Sequence, residues 1–147
     1  MKTKQENDMF LDANAKKNIC IITIHVSLSM YGDVFLRVEE KGKEQIQVSW
    51  LAIGDVGTVF DEGSKEIKSL CFSAVVDNIS AVKFPEQENE SMSLLWEIHF
   101  GDRDGSEVAG VDAGHWSDGM IRCIVDKISE ILHDDEATGC LKEFVAF

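Results

Sequence analysis

The sequence predicts an α+β domain in which five to seven mainly antiparallel strands carry a C-terminal amphipathic helix on one face. Three observations predict it. From Asn18 onward, apolar and polar residues alternate over three successive runs joined by short turns, the pattern of an antiparallel meander with one buried face. Residues 94–116 read as strand, turn and strand. Residues 117–133 then carry an apolar stripe at helical spacing.

Residues 1–17 form a polar N-terminal arm, frayed or folded as a short helix that docks Phe10 and Leu11, and residues 18–147 form a single domain. In the first strand Ile22, Ile24, Val26, Leu28 and Met30 alternate with Thr23, His25, Ser27 and Ser29. Tyr31-Gly32-Asp33 turns the chain, and Val34, Leu36 and Val38 return. After a turn at Glu40-Lys41-Gly42-Lys43, Ile46, Val48 and Trp50 mark a third strand. Residues 54–66, with three glycines, are expected to be a long irregular loop. Residues 67–84 are expected to add one or two strands, through Leu70, Phe72, Ala74 and Val76 and then Ile79 to Phe84. Pro85 opens a solvated acidic loop.

Trp96, Ile98 and Phe100 alternate with Glu97 and His99, and Asp104-Gly105 signals a tight two-residue turn. Ser117 is the expected helix N-cap, with Asp118 at the positive end of the dipole. Ile121, Ile124, Val125, Ile128, Ile131 and Leu132 form the buried stripe, Gly139 is a terminator, and the last residues are apolar enough to pack back on the body.

The final hairpin and helix, residues 92–133, look similar to the ending of pleckstrin-homology-like domains, where a run of antiparallel strands is closed by one C-terminal helix. The Lys/Arg-rich phosphoinositide loop of the lipid-binding members has no counterpart. A layout shared by unrelated small folds carries no function by itself.

Charge narrows the function classes. There are 27 Asp and Glu against 14 Lys and Arg, a net charge of −13. Lys2, Lys4, Lys16 and Lys17 against Glu6, Asp8 and Asp12 leave +1 in residues 1–17, so residues 18–147 carry −14. Such a surface repels nucleic acid and anionic membrane, and suits either solubility or a basic protein partner. Cys20, Cys71, Cys123 and Cys140 form no CxxC pair; Cys20, Cys71 and Cys123 are expected as buried free thiols and Cys140 alone as an exposed one. No apolar run follows Met1 and no run is long enough to span a bilayer, so a cytoplasmic setting is expected.

Motifs for chemistry are sparse. Neither the Walker pattern nor GxGxxG occurs, and GDVGTVF lacks the P-loop lysine. His25, His99, His115 and His133 show no HxH or HExxH spacing, although His25 and His99 fall on the polar faces of their strands and could meet across a sheet. Asp102, Asp104 and Gly105 resemble the start of a calcium loop, but the later ligands do not follow. No catalytic residue, cofactor or metal is therefore expected, and the protein is not expected to be an enzyme.

The functional expectation is an acidic protein-binding inhibitor, an immunity protein that neutralises a basic, nuclease-type bacterial toxin. Carboxylates that compete with nucleic acid for a basic surface also speed association. Those expected to meet the partner are Asp55, Asp61 and Glu62 in the long loop, Glu86, Glu88 and Glu90 after Pro85, and Asp134, Asp135 and Glu136 after the helix. Trp116 joins them as a candidate anchor, or acts as a staple that sets the helix entry angle. The alternative is a peptide- or protein-binding adaptor or chaperone module with a pleckstrin-like layout, whose expected sign is a long unpaired strand edge or an exposed apolar groove beside the helix.

Overall fold

A computed structural model describes residues 13–28, 32–42, 44–54, 56–68, 70–81, 94–116, 118–132, 138, 139 and 142. The chain runs α1 (Ala13–Asn18), β1 (Ile21–Leu28), β2 (Gly32–Gly42), β3 (Gln45–Ile53), β4 (Val59–Lys68), α2 (Phe72–Ser80), β5 (Leu94–Gly101), β6 (Glu107–Trp116) and α3 (Asp118–Leu132). The six strands form one sheet in the order β4-β3-β2-β1-β5-β6, with every neighbouring pair antiparallel.

Alternation decides which face is buried. Ile22, Ile24 and Val26 of β1, Val34, Leu36 and Val38 of β2, and Ile46, Val48, Trp50 and Ala52 of β3 all point to one side. The register sets them beside one another, as in Ile24 with Leu36 and Leu36 with Trp50. Two helices complete this core: α2 buries Phe72, Val75, Val76 and Ile79, and α3 buries Val125, Ile128 and Leu132. Among the described residues no helix packs on the other face, which carries half-buried cross-strand pairs of its own.

Two stretches differ from the sequence expectation. The loop expected over 54–66 is a short turn followed by β4. As an edge strand β4 is polar and mostly exposed, so it lacks clean alternation, and pairing with β3 is what makes it a strand. It also gives Trp50 a seat. A Cβ on Gly63 would sit 2.5 Å from the indole Cζ2, so the bare backbone there lets the ring lie across the edge. Residues 67–84 hold helix α2 rather than strands. Phe72, Val75, Val76 and Ile79 recur at three- and four-residue spacing, which the reading through Leu70, Phe72, Ala74 and Val76 overlooked. The strand run is thus interrupted by a helix between β4 and β5, and the terminal hairpin is followed by α3.

Smaller details follow their chemistry. The β5–β6 turn is longer than the two-residue type expected: Asp102 Oδ1 accepts from the amides of Asp104 and Ser106, each at 2.9 Å, with Gly105 at φ 87°. Gly32 has φ 126°, and a side chain there would run into the Ile53 carbonyl. Helix α1 straddles the expected end of the arm and is tied to α2 by Lys16 and Asp77 at 2.9 Å. The Thr138 hydroxyl donates to Ser129 Oγ at 3.1 Å with both residues buried, so the chain after α3 returns to that helix. The expected N-cap Ser117, the Phe10 and Leu11 island and the final apolar residues lie outside the described residues.

Ile128 is 1% exposed in the sheet–helix interface. Ile128→Asp would bury an unpaired carboxylate and should lower stability by about 3–5 kcal/mol. Gly32→Ala should cost about 2 kcal/mol or more from positive φ and the backbone clash. Urea unfolding followed by tryptophan fluorescence checks both, and an unchanged midpoint for either would contradict the packing described.

Candidate partner-binding site

The expected partner-contact residues fall into two groups. Asp61 and Glu62 lie on β4, exposed, and neither has an ion-pair or hydrogen-bond partner among the described residues. Asp55, Glu86, Glu88, Glu90, Asp134, Asp135 and Glu136 lie outside the described residues. Trp116 ends β6, its backbone paired with Leu94.

Beside Asp61 and Glu62 is a feature that the sequence reading did not single out. The β3–β4 turn is closed by hydrogen bonds from the Gly54 amide to the Thr58 carbonyl at 2.8 Å and from the Gly57 amide to the Gly54 carbonyl at 3.0 Å. Around it Val56, Phe60 and Val59 are 83%, 66% and 51% exposed, the large apolar side chains most open to water among the described residues. The Phe60 ring leans over Gly54, which keeps one side of it covered and its outer side free. Apolar area left in water forgoes about 25 cal/mol per Å² of burial, so a cluster of this kind marks a surface that a partner can cover. The signal was present as Val-Phe within GDVGTVFDE, but three glycines made the stretch read as an irregular loop.

The two sheet edges differ. β4 keeps unbroken register with β3 from the Gln45–Lys68 pair to the Ala52–Asp61 pair, and shifts only at the tip. β6 has two register shifts along β5 and α1 packed nearby. An open cleft of about 460 Å³ lies next to the β4 edge, lined by Phe35, Arg37, Ser49, Leu51, Glu62 and Ser64.

The open face also carries the two histidines, brought together as their strand positions allowed. His25 Nε2 lies 2.8 Å from Asp33 Oδ1, and its Nδ1 lies 3.5 Å from Glu97 Oε1. The same Glu97 oxygen is 3.3 Å from His99 Nε2, and His99 Nδ1 is 3.1 Å from Glu107 Oε1. The His25 ring stacks on Phe35 of β2 at 4.4 Å between centroids. An ionised carboxylate only accepts, so two neutral rings can satisfy two of these four contacts and two imidazolium rings can satisfy all four. No serine, threonine or cysteine among the described residues is hydrogen-bonded to either ring. These contacts join β2, β1, β5 and β6 across the face on which no described helix packs. Among the described residues no group of three or more His, Cys, Asp or Glu is placed to hold a metal ion.

The thiols depart from expectation. Cys20 and Cys71 are free but half-exposed rather than buried. Cys71 is the residue just before α2, not part of a strand. The Ser73 hydroxyl at 3.1 Å, then the backbone amides of Ala74 and Ser73, favour its thiolate and hold its pKa below the usual cysteine value.

No protein-family model matches the chain, and neither the curated proteins nor the solved structures provide a match.

Two outcomes are expected. Cys71 should be alkylated by iodoacetamide at lower pH than the thiols of the unfolded chain, and Ser73→Ala should move its midpoint upward; peptide mapping across a pH series reads this, and an unmoved midpoint would contradict the role of Ser73. Glu97→Ala removes the oxygen shared by both imidazoles and should cost about 1 kcal/mol, the scale of a cross-strand polar pair, in urea unfolding.

Proposed function

We propose that this chain is an acidic protein-binding inhibitor that neutralises a basic, nuclease-type toxin in the manner of bacterial immunity proteins. The observation that carries the reading is the β3–β4 tip. There Val56, Val59 and Phe60 stand exposed immediately beside the carboxylates of Asp61 and Glu62, which have no partner among the described residues, on a chain of net charge −13. The two parts have separate roles. Long-range charge raises the encounter rate with a basic surface but adds little affinity by itself, whereas a few desolvated apolar or aromatic anchors hold most of the binding energy of an interface.

A second reading has its own support. A peptide-binding adaptor that recognises an extended segment requires a long edge strand, and β4 offers ten residues of it. Both readings place the partner at the same end of the sheet.

Affinity capture from the native host, with sequencing of neighbouring genes, tests the inhibitor reading. A co-encoded basic protein should be captured, with an association rate that falls as salt rises. Phe60→Ala should weaken that complex by about 2 kcal/mol through faster dissociation. Asp61→Lys with Glu62→Lys should instead slow association about tenfold at low salt. A partner that is not basic, or a basic one indifferent to both changes, would sink this reading.

A further inference from the structure

We infer that the partner binds by adding a strand to β4: an extended basic segment pairs with the outer edge of the sheet, sets one basic side chain against Glu62 and another against Glu66, and lays an apolar residue on the Val59–Phe60 tip. This rests on the protein-binding reading above and adds to it the binding mode and the sequence pattern of the occupant.

The backbone gives the first argument. A strand at the end of a sheet presents one row of amide and carbonyl groups with no neighbour, a template for another chain. β4 is that strand, and its ladder to β3 runs in register through eight consecutive pairs, from Gln45–Lys68 to Ala52–Asp61. Apart from that ladder, no backbone hydrogen bond to another element engages β4 among the described residues. Along the β6 edge the two register shifts break the regular repeat that an added strand would need.

Side chains give the second. Glu62, Ser64 and Glu66 are cross-strand neighbours of Leu51, Ser49 and Gln47, which puts all three on the open face. Successive residues on one face of a strand are two apart, so an added strand meets this row with basic, small and basic side chains at positions i, i+2 and i+4. Glu66 is already oriented by Gln45 Nε2 at 2.9 Å, and Glu62 has no partner among the described residues. The cleft over Leu51 and Phe35 beside Glu62 has room for the stem of a lysine or arginine. At the far end Lys68 closes the acidic row, and at the near end Val59 and Phe60 open the apolar one. Read along β4 from the tip, the occupant is therefore apolar, then basic, small and basic.

A second copy of this chain does not fit that description. Antiparallel pairing of two β4 strands about Ser64 would set Glu62 of one copy against Glu66 of the other, between bodies of charge −13 each.

The test uses the whole protein and three fluorescent, capped peptides of about eleven residues. One alternates threonine with leucine, lysine, serine and lysine in the stated order. A second has the same composition with its lysines adjacent, and a third is the first with alternate backbone nitrogens methylated. Anisotropy should show the first binding about tenfold tighter than either control, and Glu62→Lys with Glu66→Lys should remove that preference. Hydrogen exchange should slow at amides within Val59–Lys68 when the first peptide binds. Equal binding of the methylated or shuffled peptide, or unchanged exchange in β4, would overturn strand addition. A captured basic toxin that is lost on Phe60→Asp but leaves β4 exchange unchanged would overturn it while leaving the inhibitor reading intact. Patterned binding with protected β4 amides, in a host that encodes no basic toxin partner, would do the reverse.

Discussion

Everything in this fold depends on burying one face of one sheet. The alternating residues of β1, β2 and β3 form a continuous apolar surface, and α2 and α3 supply the only helices packed on it through described core residues. A slip of one residue in any of these central registers would send Ile22, Leu36 or Val48 to water and bring His25, Arg37 or Ser49 into the core, so alternation fixes the pairing as well as the fold. With the described helices packed on one side, two further problems remain: what to place on the opposite face, and what to do with the edges.

On the opposite face the solution is local pairing. Asp33, His25, Glu97, His99 and Glu107 form one chain of contacts over four strands, and Phe35 stacks on His25 at its start. Each such pair is worth only about 0.2–1 kcal/mol, so these contacts tune a sheet whose existence the other face has already secured. Their mutual pairing also leaves this region with little polar capacity to offer a ligand.

What could be read in the sequence follows the same division. β1, β2, β3 and β5 were legible because each has one face in water and one in the core, which writes a period of two into the residues. Helix α3 was legible because a long amphipathic helix writes a period of 3.6. Two elements were not. β4 is an edge strand whose residues are exposed or half-buried on both faces, so VFDEGSKEIK contains no period to find. Helix α2 is short, and its Phe72 and Val76 satisfy a period of two as well as a period of four until Val75 and Ile79 are counted. Of the site, Asp61 and Glu62 were named from charge and apparent exposure alone. The neighbouring Val56, Val59 and Phe60 were hidden because apolar residues in a glycine-rich loop do not announce whether they turn inward or outward. That His25 and His99 share one sheet face was legible from their strand positions, but Glu97 as the oxygen between them depended on register, which no single strand reveals.

The edges then decide where the molecule has interactions left to make. The imidazoles and carboxylates at the centre of the open face already engage one another, and β6 is broken by register shifts. At the β3–β4 end three kinds of group coincide: an in-register strand edge, the carboxylates of Asp61 and Glu62 with no partner among the described residues, and three exposed apolar side chains. Charge alone could not make this a binding site, because at physiological salt it is screened beyond about 8 Å and works mainly on the encounter. Apolar exposure alone would make it a site for indiscriminate association. In the proposed binding mode the two work together: the acidic body would reject copies of itself and other acidic proteins, and the tip and strand edge would retain those basic partners that can also lie flat against β4.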